Sequence, residues 1–284
     1  MSAVEPDEQR AASRQMWESA AQGWGNRADR VRAWGMPVSV AMIDGLALQP
    51  GQRVLELAAG PGDTGFMAAE LIRPGGTLIS SDGAEAMLEV ARARAAQTGT
   101  DNVEFAQLEL EWIDLPTAAV DAVLCRWGIM LVVDPDAAAH EIRRVLRPGG
   151  RAAFAVWDSP ERNPWATITS HTMVALGHAD PPDPTGPGMF RLAADGALQE
   201  VLQSAGFEDV TVRTVELRRE YTDIGSYIAE QIELSPMMGS AYRELAEADQ
   251  LAIVDRMTAA ADPFTAADGA VVLPGSSLVA VASA

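Results

Sequence analysis

The chain has 284 residues, 48% of them hydrophobic, which is enough to bury a large core in one domain or in a domain with an elaborated cap. Its 40 acidic residues against 21 basic ones give a formal net charge of −19, which argues against nucleic acid and anionic membrane as partners. All 21 basic residues are arginines and Cys125 is the single cysteine, so lysine-dependent chemistry and an internal disulfide are both excluded.

The first 12 residues are polar and acidic, and we expect them to be disordered. They lack the apolar core of a signal peptide, and no stretch approaches the roughly 18 apolar residues that span a bilayer. No cluster of cysteines and histidines has the spacing of a zinc site, and we expect no metal. These features predict a soluble, cytoplasmic protein.

Residues 13–48 show helical periodicity and form a predicted N-terminal lid, with breaks at the glycines and proline of 23–25 and 35–37. Residues 49–157 then alternate regularly between short apolar runs and helical segments. We predict strands at 54–58, 77–81, 103–107, 120–125 and 151–157, with helices at 64–72, 84–97 and 136–146. This alternation indicates an α/β fold with a doubly wound, mostly parallel, Rossmann-like sheet of seven strands.

The regularity is lost after residue 157. Residues 158–194 include a proline-rich segment at 179–188 and form a predicted cap insert. A helix at 195–205 and a strand at 209–218 predict that the core continues over 195–222. A helical cap insert is predicted over 223–262, and the final core strand, centred on 277–283, is predicted within 263–284.

The strongest local signal is the glycine-rich run from Glu56 to Gly65, which follows the first predicted strand. Glycines there let the backbone approach a ligand closely, and the next helix begins with unpaired N–H groups. Asp82 follows at the end of the second strand, where a carboxylate can accept hydrogen bonds from ribose hydroxyls. The run therefore predicts a nucleotide-type cofactor site.

The spacing of Gly60, Gly62 and Gly65 also satisfies the dinucleotide fingerprint, so an NAD-dependent oxidoreductase is an alternative. Two features argue against it. Glu56 at the strand end would repel a pyrophosphate, and helical segments precede the first strand, whereas dinucleotide domains usually open with that strand. A third argument is that the later strands match a different family.

Five segments in order resemble the class I S-adenosylmethionine-dependent methyltransferases, in particular the branch of the ubiquinone/menaquinone-biosynthesis C-methyltransferases. They start at Glu56, Asp82, Phe105, Val120 and Arg143, and the resemblance covers about residues 50–157. It implies a methyltransferase that uses S-adenosylmethionine and releases S-adenosylhomocysteine. A non-catalytic regulator that keeps this fold and cofactor site is a further alternative.

The resemblance also implies roles for individual residues. The resemblance places four residues of the first motif around the methionine part of the cofactor, with Arg126 at the border. It places residues of the second and third motifs around the ribose and the adenine. The implied cofactor residues are Glu56, Ala58, Gly60, Gly62, Asp82, Gly83, Met87, Glu109, Leu110 and Arg126. Relatives commonly carry Asp at the position of Glu109, so its contact with the adenine amino group is shifted or lost here.

Trp17 and Trp24 lie in a segment similar to the one whose aromatic residues fold over the cofactor in this family. Together with Trp127 and Met130 they are predicted to border the methyl acceptor. Aromatic faces suit a sulfonium cation, and the acidic chain attracts it over distance.

Methyl transfer is an in-line displacement, so catalysis is mostly positioning, and a base is needed only if the acceptor must lose a proton. His171 and Tyr227, both in the predicted cap, are our candidates for that base. The methionines of the cap suggest an apolar pocket for a small, partly aromatic metabolite, methylated at carbon or oxygen. The sequence leaves the oligomeric state open, with a homodimer among the alternatives.

Overall fold

A computed structural model describes residues 5–183 and 186–284 of the chain. The strands form one sheet in the order β3-β2-β1-β4-β5-β7-β6. All neighbours pair in parallel except β7, which runs antiparallel to both β5 and β6. The strands are β1 (Arg53–Leu57), β2 (Thr77–Asp82), β3 (Val103–Gln107), β4 (Val120–Arg126), β5 (Leu146–Trp157), β6 (Glu208–Tyr221) and β7 (Val271–Ser283). The predicted fold class is confirmed.

Helices cover the sheet and alternate with the strands over the first half of the chain. They are α1 (Pro6–Leu46), α2 (Asp63–Leu71), α3 (Glu85–Thr98), α4 (Pro135–Val145), α5 (Pro164–Ala175), α6 (Ala197–Ser204), α7 (Ile224–Leu234), α8 (Pro236–Glu244) and α9 (Glu247–Ala261). Short 3₁₀ turns lie at Ile129–Leu131, Pro160–Arg162 and Asp262–Phe264. No helix in this described part of the chain combines the length and apolarity needed to span a membrane.

The central strands β1 and β4 are mostly apolar because helices bury them on both faces. Leu55, Val123 and Leu124 have no exposed surface. The chain passes from β1 outward to β2 and β3, and then returns to place β4 on the other side of β1. Ligands of open α/β sheets bind at such a switch point, beyond the carboxyl ends of the strands.

Helix α1 corrects two predictions about the N-terminal segment. Residues 6–12, predicted to be disordered, form its first turns, while residues 1–4 lie outside the described range. Pro6 at the first helical position and acidic residues in the first turn favour a helix start there. The predicted breaks at 23–25 and 35–37 are also wrong, because α1 runs without interruption through Pro37.

The glycines of α1 permit close packing and do not end the helix. A side chain at Gly23 would collide with the backbone of Glu233 in α7, and one at Gly35 would meet Arg126 and Trp127. Two ion pairs also join α1 to α7. Arg27 holds Glu233 through Nε and Nη2 at 2.7 and 2.8 Å, and Arg30 Nε lies 2.8 Å from Glu230. We attribute the continuity of α1 to this tertiary packing.

Two strand boundaries also differ from the prediction. β5 begins at Leu146 and not at the predicted residue 151, so it includes residues 147–150. β7 begins at Val271 and contains Pro274, which pairs with Arg218 on β6. The proline is tolerated because β7 pairs with β5 only over Ser277–Ser283, so at Pro274 one side of the strand is an edge that needs no N–H donor. The division of the chain into core and cap segments remains a prediction.

Candidate active site

A cleft of about 1150 Å³, part of it open to solvent, lies at the carboxyl ends of β1, β2 and β4. The loops after these strands form its floor, and the N-terminal part of α1 forms its roof. Twelve residues predicted for the site line it: Trp17, Trp24, Glu56, Ala58, Gly60, Asp82, Gly83, Met87, Glu109, Leu110, Arg126 and Trp127. The structure therefore brings most of the predicted residues together.

The glycine loop after β1 gives the cleft its narrow floor. Gly60 has φ +53°, and a side chain built there would meet no protein atom within 4 Å, so its Cα faces the open cleft. Gly62 has φ +86° and instead packs against the ring of Phe66. Gly62 is not among the lining residues, so its contribution is to shape the turn.

Asp82 ties this loop to the end of β2. Its carboxylate accepts a hydrogen bond from Gly60 N at 2.9 Å and another from Ala84 N at 3.0 Å. Burial raises the pKa of Asp82 to about 6, against the lowering effect of these two N–H donors. The carboxylate can accept further hydrogen bonds from ligand hydroxyls in the cleft.

Glu56 lies deeper, at the end of β1. It is buried and accepts a hydrogen bond from Gly65 N at 2.7 Å and one from Ser80 Oγ at 3.3 Å. Burial raises its pKa to about 7. Glu56 accepts the hydrogen bond of one backbone N–H in the first turn of α2, so that N–H is not free to bind a pyrophosphate. A dinucleotide site requires these N–H groups, so this contact disfavours the NAD alternative.

Arg126 closes the opposite wall. Its Nη1 lies 3.4 Å from Ser39 Oγ, and its guanidinium lies 4.6 Å from the ring centroid of Trp127. Removal from water lowers the pKa of Arg126, while the carboxylates of Asp63 and Glu56 favour its charged form. The cleft thus carries a cationic wall opposite the carboxylates of its floor.

The far end of the cleft lies between α1 and the loop after β3. Glu109 lines it, but its Oε1 lies 2.7 Å from Nη2 of Arg14 on α1. In the same way Arg10 Nη2 lies 2.8 Å from Glu111. The predicted contact between Glu109 and an adenine amino group therefore has a competitor in Arg14.

Three predicted site residues lie away from the cleft. Met130 is buried in the core beneath it. His171 is exposed on α5, and Tyr227 is fully buried, with its hydroxyl donating to Trp165 O at 2.8 Å. Burial raises the pKa of Tyr227, so its hydroxyl stays protonated and cannot take up a proton as a base. Neither location supports the predicted role of a base, and no histidine in the described ranges lines the cleft.

The sequence interpretation missed the polar residues of α1 that face the cleft, because it treated residues 1–12 as disordered and considered only the tryptophans of the helical segment that follows. These are Gln9, Arg10, Ser13 and Arg14. Their spacing of three and four, continued by Trp17 and Trp24, is that of one helix face, and this was the available signal. Glu18, on the same helix, accepts from Glu85 N and Ala86 N at 2.7 and 2.9 Å and so caps α3.

Sequence comparison matches residues 48–206 to a family described as a methyltransferase domain. A ubiquinone/menaquinone biosynthesis C-methyltransferase of Hahella chejuensis is 35% identical over 119 residues, 42% of this chain and 48% of the relative. A demethylmenaquinone methyltransferase of Clavibacter sepedonicus is 37% identical over 121 residues, 43% of this chain and 47% of the relative. The chain thus spans about half the length of these two relatives.

Solved structures with similar folds include the YcgJ protein of Bacillus subtilis, with a TM-score of 0.59 at 18% identity over 86% of this chain and 97% of that one. Phosphoethanolamine N-methyltransferase 2 of Haemonchus contortus, solved with S-adenosyl-L-methionine, has a TM-score of 0.53 at 16% identity over 92% of this chain and 59% of that one. At these identities the similarity concerns the fold.

Proposed function

Because the chain belongs to the methyltransferase domain family, we propose that it is an S-adenosylmethionine-dependent enzyme that methylates carbon or oxygen of a small, partly aromatic metabolite. The observation that carries the proposal is the roof of the cleft. Helix α1 covers the cleft with Trp17 and Trp24, facing Trp127 on the other wall. A roofed cleft lined by indole rings suits a small planar acceptor better than a macromolecule.

The chain's own residues fit the cofactor. Gly60 leaves a space that any side chain would fill, and Asp82 presents a carboxylate beside that space. Met87, buried next to Asp82, would contact the adenine, and Arg126 would pair with the cofactor's carboxylate. When bound, the cofactor supplies an activated methyl group on a sulfonium centre.

The residues around the cleft contribute positioning and exclusion of water. Trp127 is buried, and its Nε1 donates to Ser277 Oγ at 2.7 Å, which fixes the ring at the wall. A fixed wall limits the orientations of an acceptor, and correct orientation is the main source of rate enhancement in a displacement reaction. The names of the two relatives refer to ubiquinone and menaquinone, which supports an acceptor of the quinol type and methylation at carbon.

The first test is calorimetric titration with S-adenosylmethionine, S-adenosylhomocysteine and NAD. The second is transfer of labelled methyl to a panel of phenols, naphthols and naphthohydroquinones, with a transfer RNA and a peptide as macromolecular acceptors. We expect binding of the first two ligands and labelling of at least one aromatic acceptor. Labelling confined to the macromolecules would refute the proposed acceptor class, and cofactor binding without transfer to any acceptor would favour a regulator.

A further inference from the structure

Behind the cleft lies a cluster of four tryptophans, and Trp127 belongs to both. Its ring stacks on Trp157 with centroids 4.3 Å apart and 12° between planes, and its centroid lies 5.3 Å from that of Trp34. Trp165 completes the cluster, 4.8 Å from Trp157 and 6.3 Å from Trp34. These residues come from α1, the loop after β4, the end of β5 and α5, so the cluster connects the cofactor cleft to the cap.

The guanidinium of Arg219, near the end of β6, lies inside this cluster. Its central carbon is 3.6 Å from the ring centroid of Trp34 and 3.3 Å from that of Trp165, so it is sandwiched between two indoles. The side chain is 1% exposed. Burial lowers the pKa of Arg219, because a charge in this surrounding has lost its hydration.

Arg219 is only weakly paired with a carboxylate. The nearest carboxylate is Glu230, with Oε1 3.8 Å from Nη1 of Arg219. That same carboxylate lies 2.8 Å from Arg30 Nε and accepts a hydrogen bond from Tyr221 Oη at 2.7 Å. Arg30 is 41% exposed and keeps part of its hydration, whereas Arg219 and Glu230 are both 1% exposed. The one buried carboxylate is therefore shared between two guanidinium groups and lies beyond hydrogen-bond distance of Arg219.

Two buried donors of the cluster also lack acceptors. Arg219 Nε and Trp34 Nε1 make no hydrogen bond to any described residue. Buried polar groups are normally paired, so an unpaired donor calls for an explanation. Here both N–H donors belong to the sandwich of Arg219 and the indoles, and one ligand oxygen could accept a hydrogen bond from each of them.

We infer that Arg219 is a specificity-determining residue of the acceptor site, and that the acceptor is a planar aromatic molecule with a negatively charged oxygen. This inference rests on the proposed function and narrows its acceptor class. The anionic oxygen pairs with the guanidinium and accepts from the unpaired N–H groups, while the aromatic ring stacks against the indoles next to Trp127. The cluster is filled in this structure, so binding requires the neighbouring cap helices α5 and α7 to shift.

The charge of the acceptor also agrees with a cleft lining that, among the described residues, contains neither histidine nor tyrosine. A molecule that enters as a phenolate or carboxylate is already deprotonated at that oxygen. A guanidinium favours this anionic form, and its planar N–H groups match an oxygen with two lone pairs. The positions of His171 and Tyr227 away from the cleft agree with such an acceptor.

The test uses the full chain saturated with S-adenosylhomocysteine and two probes of the same shape, anionic 2-naphthoate and neutral 2-naphthamide, titrated by calorimetry. We expect the wild type to bind naphthoate more tightly by about tenfold or more, the ratio typical of a charge-assisted contact. Arg219→Met should reduce this preference to less than about twofold while its affinity for S-adenosylhomocysteine is unchanged.

Arg30→Met is the matched control, because Arg30 pairs with the same Glu230 but does not lie in the indole sandwich. It should keep the preference. If Arg219→Met fails to fold, Trp34→Phe removes one of the two unpaired donors and should lower the preference by itself. A wild type that binds neither probe or binds both equally, or a preference that survives in Arg219→Met, overturns the inference. Transfer of methyl to neutral aromatic acceptors would then leave the proposed function intact.

Discussion

Replacement of Gly60 by alanine tests whether the cofactor needs the space beside this residue, and its effect on ligand affinity can be measured apart from its effect on stability. Gly60 has φ +53°, so alanine there should cost about 1–2 kcal/mol of unfolding free energy through backbone strain. No protein atom lies within 4 Å of the added Cβ, so packing adds nothing to this cost. The methyl group points into the cleft, where we expect it to lower affinity for S-adenosylhomocysteine at least about tenfold, or about 1.4 kcal/mol.

Gly99, at the end of α3, provides the matched control. It has φ +73°, a Cβ there would also meet no atom within 4 Å, and it does not line the cleft. Gly99→Ala should show a similar loss of stability in urea unfolding but unchanged affinity in calorimetry. If the two variants bind S-adenosylhomocysteine equally well, the assignment of the glycine loop to the cofactor is refuted.

Three further predictions concern the carboxylates. Asp82→Ala should weaken cofactor binding by about 1–3 kcal/mol through lost hydrogen bonds, and unchanged affinity in a folded variant would remove Asp82 from the site. Glu18→Ala should lower the unfolding free energy by about 1 kcal/mol in urea, because two N–H groups of α3 lose their acceptor, and no change would contradict this cap. Burial raises the pKa of Glu56 to about 7 and of Asp82 to about 6, above their unfolded values, so the free protein should lose stability as pH rises from about 4.5 through 7. A cationic ligand favours their ionised forms and should release protons near pH 6.5, making the calorimetric enthalpy depend on the buffer's ionisation enthalpy. Equal enthalpies in phosphate and Tris would contradict this.

The first half of the fold was predictable because its signals are local. Strand β1 reads as a buried, mostly apolar run, and the turn before β2 contains Pro-Gly-Gly, so the boundaries of the α/β alternation agree within a few residues over 53–145. Helix α1 was not predictable as one continuous helix, because Gly23, Gly35 and Pro37 are helix breakers by propensity. Their helical state depends on contacts with α7 and the loop after β4, which no local pattern contains.

The candidate site divides in the same way. Residues within the motifs, such as Gly60 and Asp82, lie where the strand ends place them, so motif order predicted them. Tyr227 and His171 were chosen by residue type in a cap whose packing the sequence does not encode locally. Arg219 received no attention as one arginine among 21, because only the tertiary structure shows that it is buried between two indoles.

The length of helix α1 has a consequence for the binding of the two ligands. At about 1.5 Å per residue its 41 residues form a rod about 60 Å long. The first turns of the rod cover the cofactor cleft through Arg14, and its middle is bound to the cap by Arg27 and Glu233. Because both sites share one stiff part, a tilt of α1 that widened the cleft would also displace the cap. Linkage then requires the cofactor and the acceptor to change each other's affinity by the same factor, which calorimetric titration of each ligand with and without the other measures.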